Sequence, residues 1–566
     1  MKLHKTLYTS LILLSAVSLT KGQEVKNQEK EKVVSEEIEI IRPYKPVLAE
    51  AFKLRRSPDL ENIKTYRAKF NYNINDRKLE LNSDIQKLQA QQLVQQKQAE
   101  LVNNYVKGGV GSLGTLLAEA YIATGKDQAL QAAGFFRHFS QEGKLNKQNE
   151  NFQQFSAFGR SIGDKATLNG RVNYERHGLY FYGIDEANPT LNPNPEKQAL
   201  NFFELEGEVI NKFTPNENAL NYTLKANVYF FKDNFEAKEQ ALALTAYLNK
   251  RFKNFNTGLA ANAEFGSSKD ALTSVGNNIL RLNPYLRLQT NGVNITAGIN
   301  ITQEFGQFSR SKIFPKVTAD FTLIPEFLQL FGEIKGDVNR NTLKDFTDEN
   351  PFLNSNINIQ NTVEKLSISG GVKGNGGPGF GYKARFYSKK IVDMPLFVNN
   401  FNTFNKFDVI YDNGTMKLLG IEGEIAVQIS DELKWTGKLN IEDYKPASEQ
   451  ASFFKPQMRA SSNLLYTFNN KLTLNANVVL QSDSKAKVYL SQPQTLGVYP
   501  TTPDVSKEKI VNVKGFVDLG LGADYKINKK FSAFAKANNI LNSNYSRYLY
   551  YRNNGLNIFG GVTYAF

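Results

Sequence analysis

The chain has 566 residues, a formal charge of +14 and no cysteine. Without thiols there can be no disulfide staple, no thiolate zinc site and no cysteine nucleophile. The lysines are spread along the sequence and form no basic tracts, which argues against nucleic acid as a partner, and 40 Phe and 26 Tyr against one Trp make the chain rich in aromatics.

Lys2 and Lys5 precede a mostly apolar run from Leu7 to Leu19, and Thr20-Lys21-Gly22 places small residues at −3 and −1. This is the layout of a secretory signal over residues 1–22, with cleavage expected before Gln23. Beyond it no run approaches the roughly 18 apolar residues of a spanning helix. Residues 23–102 read as a short periplasmic extension, polar and interrupted by Pro43, Pro46 and Pro58. Within it Glu37, Ile38, Ile40 and Ile41 form a brief acidic, β-branched stretch. Tyr66, Ala68, Phe70, Tyr72 and Ile74 alternate, and Leu79, Leu81 and Ser83 alternate back after Asn75-Asp76, as in a hairpin or partial plug. The glutamine-rich piece 84–101 reads as helix or extended linker.

From about Asn103 to Phe566 the period changes to two. Leu220, Tyr222, Leu224, Ala226, Val228 and Phe230 alternate with polar neighbours, as do Ile295 to Ile301, Leu328 to Val338 and Val513 to Tyr525. Tight turns such as 163–165, Asn291-Gly292, Asn469-Asn470 and Asn528-Lys529 alternate with longer polar links at 184–199, 267–278, 340–360, 392–412, 483–510 and 543–554. Short turns on one side and long loops on the other characterise outer-membrane barrels. The alternation also runs longer per strand than the 5–6 residues typical of soluble sheets. The expected fold class is all-β: a transmembrane antiparallel β-barrel of about 22 strands over residues 103–566. Its expected place is the outer membrane of a Gram-negative bacterium, with the lipid bilayer as its first partner.

The last strand puts Ile558, Val562, Tyr564 and Phe566 on one face and stops at the chain terminus. An apolar edge there would aggregate unless it paired, so these residues are the expected barrel-closing signal read by the barrel assembly machinery. Gly109, Gly111, Gly114 and Gly374, Gly376, Gly379 match a nucleotide-binding spacing, but they lie in strands and turns without the required helix. His138 and His177 fall on strands read as neighbours, and a hydrolase would pair one with Ser140 or Ser161. Nothing local supplies an orienting third group. No catalytic, cofactor or metal residues are therefore expected, and the chain reads as no enzyme. Arg171, Glu175, Glu204, Glu206, Glu208, Lys225, Glu333, Lys335, Asp337, Lys514 and Asp518 fall on the polar face and are expected to neutralise one another inside the lumen. Tyr545, Tyr548, Tyr550 and Tyr551 read as an external aromatic girdle, with ligand stacking as the alternative.

The run Ala537-Asn538-Asn539-Ile540-Leu541-Asn542, then Tyr545, Tyr548 and Tyr550, then Ile558 to Phe566 resembles the barrel of TonB-dependent outer-membrane receptors. Weaker echoes are Gly420-Ile421-Glu422-Gly423-Glu424, leading into 429–433, and Asn341–Pro351. The abundance of Asn, Lys and Phe is similar to Bacteroidetes-type members. The resemblance implies 22 strands, uptake of a solute and contact with TonB, for which Glu37, Ile38, Ile40 and Ile41 are the candidate strand. Those receptors carry a plug of well over a hundred residues, whereas only 23–102 precede the first strand here. Three functions stay open: a solute-uptake receptor, a structural or assembly subunit whose barrel is filled or capped by a partner such as a surface lipoprotein, and an ungated porin.

Overall fold

A strand in hydrocarbon must find every hydrogen-bond partner within its own sheet, and this chain meets that demand by closing on itself. The computed structural model describes residues 104–124, 129–189, 192–212, 219–252, 255–377, 379–428, 430, 432–489 and 503–566. Among these residues 22 strands form one antiparallel sheet. Sequence neighbours pair all the way round, and the first strand, Tyr105–Gly111, pairs with the last, Asn557–Ala565. The strand count, the first strand near 103 and closure by the C-terminal strand agree with the sequence. The signal segment, the 66–83 hairpin and the Glu37–Ile41 stretch lie outside the described residues.

Both ends of the wall meet at one rim, where the Phe566 amide donates to the Asn104 carbonyl at 3.1 Å. Short turns occupy the same rim. Asn469 and Asn470 take φ of 48° and 54°, and Gly292 takes 81°, left-handed values that Asn and Gly tolerate best. Aromatic pairs cluster beside these turns: Phe252 with Phe255, Tyr466 with Phe468, and Tyr564 with both Phe531 and Phe566. Such a belt suits the membrane–water boundary.

The opposite rim departs from the expected links in three places. The segments 267–278 and 392–412 are mostly strand: Phe255–Lys269 meets Ser274–Thr290 over a four-residue turn, and Phe380–Asn399 meets Phe407–Gln428 across 400–406. Asp393 and Pro395 look like loop residues in sequence. In the fold Asp393 sits in a bulge at φ 56°. Past Val392 the strand pairs on one side only, so the missing N–H of Pro395 costs no ladder bond on the other. The link 483–510 contains a separate hairpin, Ser484–Tyr489 with Glu508–Val513. Lys514 therefore lies in a connection and not on the barrel wall, which resumes at Phe516.

Closure depends on close approach at the seam. A Cβ on Gly561 would lie 1.9 Å from the Gly108 carbonyl oxygen, and one on Gly109 would lie 2.7 Å from the Phe534 ring. Leu117, Phe139, Phe534 and Phe559 pack together over this thin stretch from inside. The glycines let the two edge strands meet, and the rings replace the side-chain bulk that they lack.

Gly561→Val should therefore prevent closure, while Gly108→Ala, whose Cβ would meet nothing within 4 Å, should not. Gel mobility of unheated against boiled protein checks this. A heat-modifiable band for Gly561→Val would show that the seam tolerates bulk.

Candidate functional site

Strict alternation sends one set of side chains to lipid and the other to the lumen. The lumen set is charged, and many of its charges are matched within a strand or between strands. Glu206 holds Arg171 at 3.0 Å and Lys225 at 2.8 Å. Arg281 reaches both Glu264 and Asp337, Lys335 pairs with Glu333, and Lys383 and Arg385 share Glu422. These pairs bear out mutual neutralisation for part of the set, whereas Glu208 and Glu175 accept from the neutral carboxamides of Asn169 and Asn173. Tyr247 points inward yet stays half exposed, so this part of the lumen is open to solvent among the described residues.

Above the lumen the outer loops form a cap. Tyr182, Phe352 and Tyr551 come from connections at widely separated points around the ring, and their rings touch one another: Phe352 stacks on Tyr551 with centroids 3.5 Å apart. Phe407 is fully buried among Phe454, Tyr548 and Tyr551. Loops rooted so far apart can meet only by folding inward across the mouth. Polar contacts lock them: the Tyr551 hydroxyl donates to the Asn405 carbonyl, the Tyr548 hydroxyl to the Glu349 carbonyl, and Asn405 Nδ2 to the Phe181 carbonyl at 2.8 Å. Burial pushes the Tyr548 hydroxyl up to about 12, so it remains a neutral donor. A short helix, Leu343–Glu349, is capped by Thr342, and its first amide donates to the Glu239 carboxylate at 2.7 Å.

These positions correct the expected aromatic girdle. Tyr548 and Tyr551 are buried in the cap core, and Tyr545 stacks on Phe516 while donating to Asp518. Spacing alone could not separate a lipid-facing tyrosine from a loop-buried one, because both sit at the outer end of a strand.

Under the cap lies a cavity of about 300 Å³ against the inner wall. Tyr182, Phe352 and Tyr545 give it aromatic surface, and Gln141, Asn149 and Asn557 are among its carboxamides. Two acids complete it. Glu150 is bound by His177 Nε2 at 2.7 Å, and Asp518 by the Tyr545 hydroxyl at 2.6 Å. Burial, then the neighbouring Asp518, pushes the Tyr545 hydroxyl up. Many neutral donors and acceptors beside ring faces suit a polar solute held by hydrogen bonds and stacking. Among the described residues no cluster of three or more His, Asp or Glu could hold a metal ion.

The histidines are not on neighbouring strands: Asn149–Ile162 lies between them. His177 faces the lumen. His138, Ser140 and Ser161 share register with outward residues such as Leu116, Leu130 and Leu168, so the wall separates both serines from His177. The cavity leaves little mark in the sequence because its residues come from three distant stretches. The repeated Asn of 538–557 was the one available signal.

No protein-family model matches the chain, and no curated protein matches it in sequence. Solved structures do match. They include the FrpB iron transporter from Neisseria meningitidis (TM-score 0.61, 10% identity, 82% of this chain and 81% of that one). The pyoverdine receptor FpvA from Pseudomonas aeruginosa matches at 0.62 and 12%, covering 82% and 78%. The ferric-catecholate import receptor Fiu from Escherichia coli K12 matches at 0.59 and 9%, covering 82% of each. At such identities the likeness is one of fold. The resemblance to TonB-dependent outer-membrane receptors, read from residues 537–566, extends in fold to the whole barrel.

Removing Phe407 should loosen the cap without opening the barrel. Phe407→Ala should cost the cap about 3–5 kcal/mol, seen as faster proteolysis of loops 340–361 and 446–457 with an unchanged heat-modifiable band. Unaltered cleavage would mean that this cluster does not hold the loops.

Proposed function

We propose that this outer-membrane barrel takes part in uptake of a polar, hydroxyl- or amide-bearing solute. The observation that carries this reading is the carboxamide and tyrosine cavity beneath the cap, at the entrance to a charge-balanced lumen. A solute held there would exchange water for fixed amide dipoles before reaching the ladder of paired charges below. Cap loops that lean on one another could admit it only by parting, so entry is gated from outside.

In this reading residues 1–22 direct export and are removed. Residues 23–102 lie in the periplasm as an extension or partial plug, and 103–566 form the barrel. Glu37, Ile38, Ile40 and Ile41 supply the strand that TonB would engage, and Ile558, Val562, Tyr564 and Phe566 form the signal read by the assembly machinery. The last four belong to or adjoin the strand that completes the ring, the position such a signal requires. A second reading, a structural subunit paired with a surface lipoprotein, is favoured by the extent of the buried cap, which offers a rigid platform. The same cap argues against an ungated porin.

Planar-bilayer recording of the full mature chain should show little conductance. Deleting residues 23–102 together with loop 340–361 should produce large steady openings. High conductance in the intact protein would refute gating. Ile38→Asp with Ile40→Asp should abolish energy-dependent accumulation of solute without lowering surface binding. Unchanged accumulation would remove TonB from the mechanism.

A further inference from the structure

The outer face carries a second pattern that solute uptake does not use. Along Leu220–Lys232 the lipid-facing side chains are Leu220, Tyr222, Leu224, Ala226, Val228 and Phe230, followed by Lys232. At ~3.4 Å per residue and a tilt of ~40°, the apolar part spans about 25 Å of bilayer. Lys232 thus stands just above the hydrocarbon. It is directly opposite Lys238, and Lys238 is directly opposite Lys269, all three exposed. The same register row continues through Asn201 to Arg176. Two residues lower, Phe136, Phe155, Tyr174, Phe203 and Phe230 form an unbroken row of register partners.

Like charges directly opposite in a sheet repel, and nothing in the protein relieves these. No carboxylate is within ion-pair distance of Lys232, Lys238 or Lys269 among the described residues. The nearby acids are committed elsewhere: Asp233 accepts the amides of Phe235 and Ala237, and Asp270 those of Ala271 and Asn356. Glu236 lies exposed in the turn without an ion pair. The arrangement recurs on another part of the wall. Lys390 is opposite Lys417, and Lys417 opposite Lys445; the mixed row Ser388, Leu419 and Asp443 lies next below, and the exposed apolar row of Phe386, Ile421 and Ile441 below that. Here Asp443 offers one weak exposed contact, to Lys445 at 3.4 Å. One such row could be accidental. Two rows of three lysines, each above a lipid-facing apolar row, imply a shared cause.

We infer that the two lysine rows, Lys232–Lys238–Lys269 and Lys390–Lys417–Lys445, bind the phosphorylated headgroups of outer-leaflet glycolipid. The ammonium groups would bridge phosphates while the apolar rows beneath contact acyl chains. Bound anions would turn cross-strand repulsion into attraction. The inference depends only on the membrane position of the barrel and is independent of any solute.

The test uses the full mature chain in detergent, stripped of lipid and offered lipopolysaccharide with or without its lipid A phosphates. Native mass spectrometry counts the molecules retained. The phosphorylated form should bind at two sites and the dephosphorylated form at neither. Lys232→Gln with Lys238→Gln and Lys269→Gln should weaken one site about a hundredfold, and the corresponding change at 390, 417 and 445 should weaken the other. Lys→Arg at all six should preserve binding. Unheated gel mobility should stay native throughout, which separates lost binding from lost folding. Equal retention of dephosphorylated lipid, unchanged binding in the sixfold Gln variant, or full displacement by millimolar inorganic phosphate would each overturn the inference.

Discussion

Closure of the main-chain hydrogen-bond ladder is the constraint on which everything else here rests. An open edge in hydrocarbon would leave a row of N–H and C=O groups with no partner, at several kcal/mol each. The first and last strands remove that edge, and they can meet only because Gly109 and Gly561 carry no Cβ at the contact. The aromatic cluster over the seam follows from the same need, since a wall thinned by glycine must be thickened from inside. A single substitution at this line acts on the whole ring, whereas most substitutions elsewhere on the wall remain local.

Once the ring is closed, its two faces live in different solvents. The lumen face can hold charge because neighbouring strands bring opposite charges into register: Glu206 between Arg171 and Lys225, Glu422 between Lys383 and Arg385. The lipid face cannot, and polar groups appear on it mainly near its edges. This explains why lysines opposed to lysines on the outer face stand out. They occur where the apolar band ends, so they answer to the headgroup region and not to the protein interior.

The cap obeys a third logic. Outer loops are long, polar in parts and free of the membrane, so only mutual burial can order them. Phe407, Phe352, Tyr548 and Tyr551 supply that burial, and buried hydroxyls paired with carbonyls keep it satisfied. Because the participating loops arise on separate parts of the ring, the cap depends on the barrel for its geometry, while the barrel does not depend on the cap.

The sequence by itself determined the wall. Period-two alternation, short turns such as Asn469-Asn470 and the terminal Phe566 specify strand number, direction and closure, because lipid imposes one rule on every strand and that rule is written locally. It also determined that lumen charges would cancel, since a wide polar interior demands it. Only the tertiary structure decided where the outer halves of the strands go. Asp393 and Pro395 read as loop and proved to be strand. Tyr548 and Tyr551 read as a lipid-facing girdle and proved to be cap core. The cavity joining Glu150 and His177 to Asp518 and Tyr545 left almost no local signal. Beyond the membrane no single solvent dictates the pattern, and each side chain there takes its role from partners hundreds of residues away.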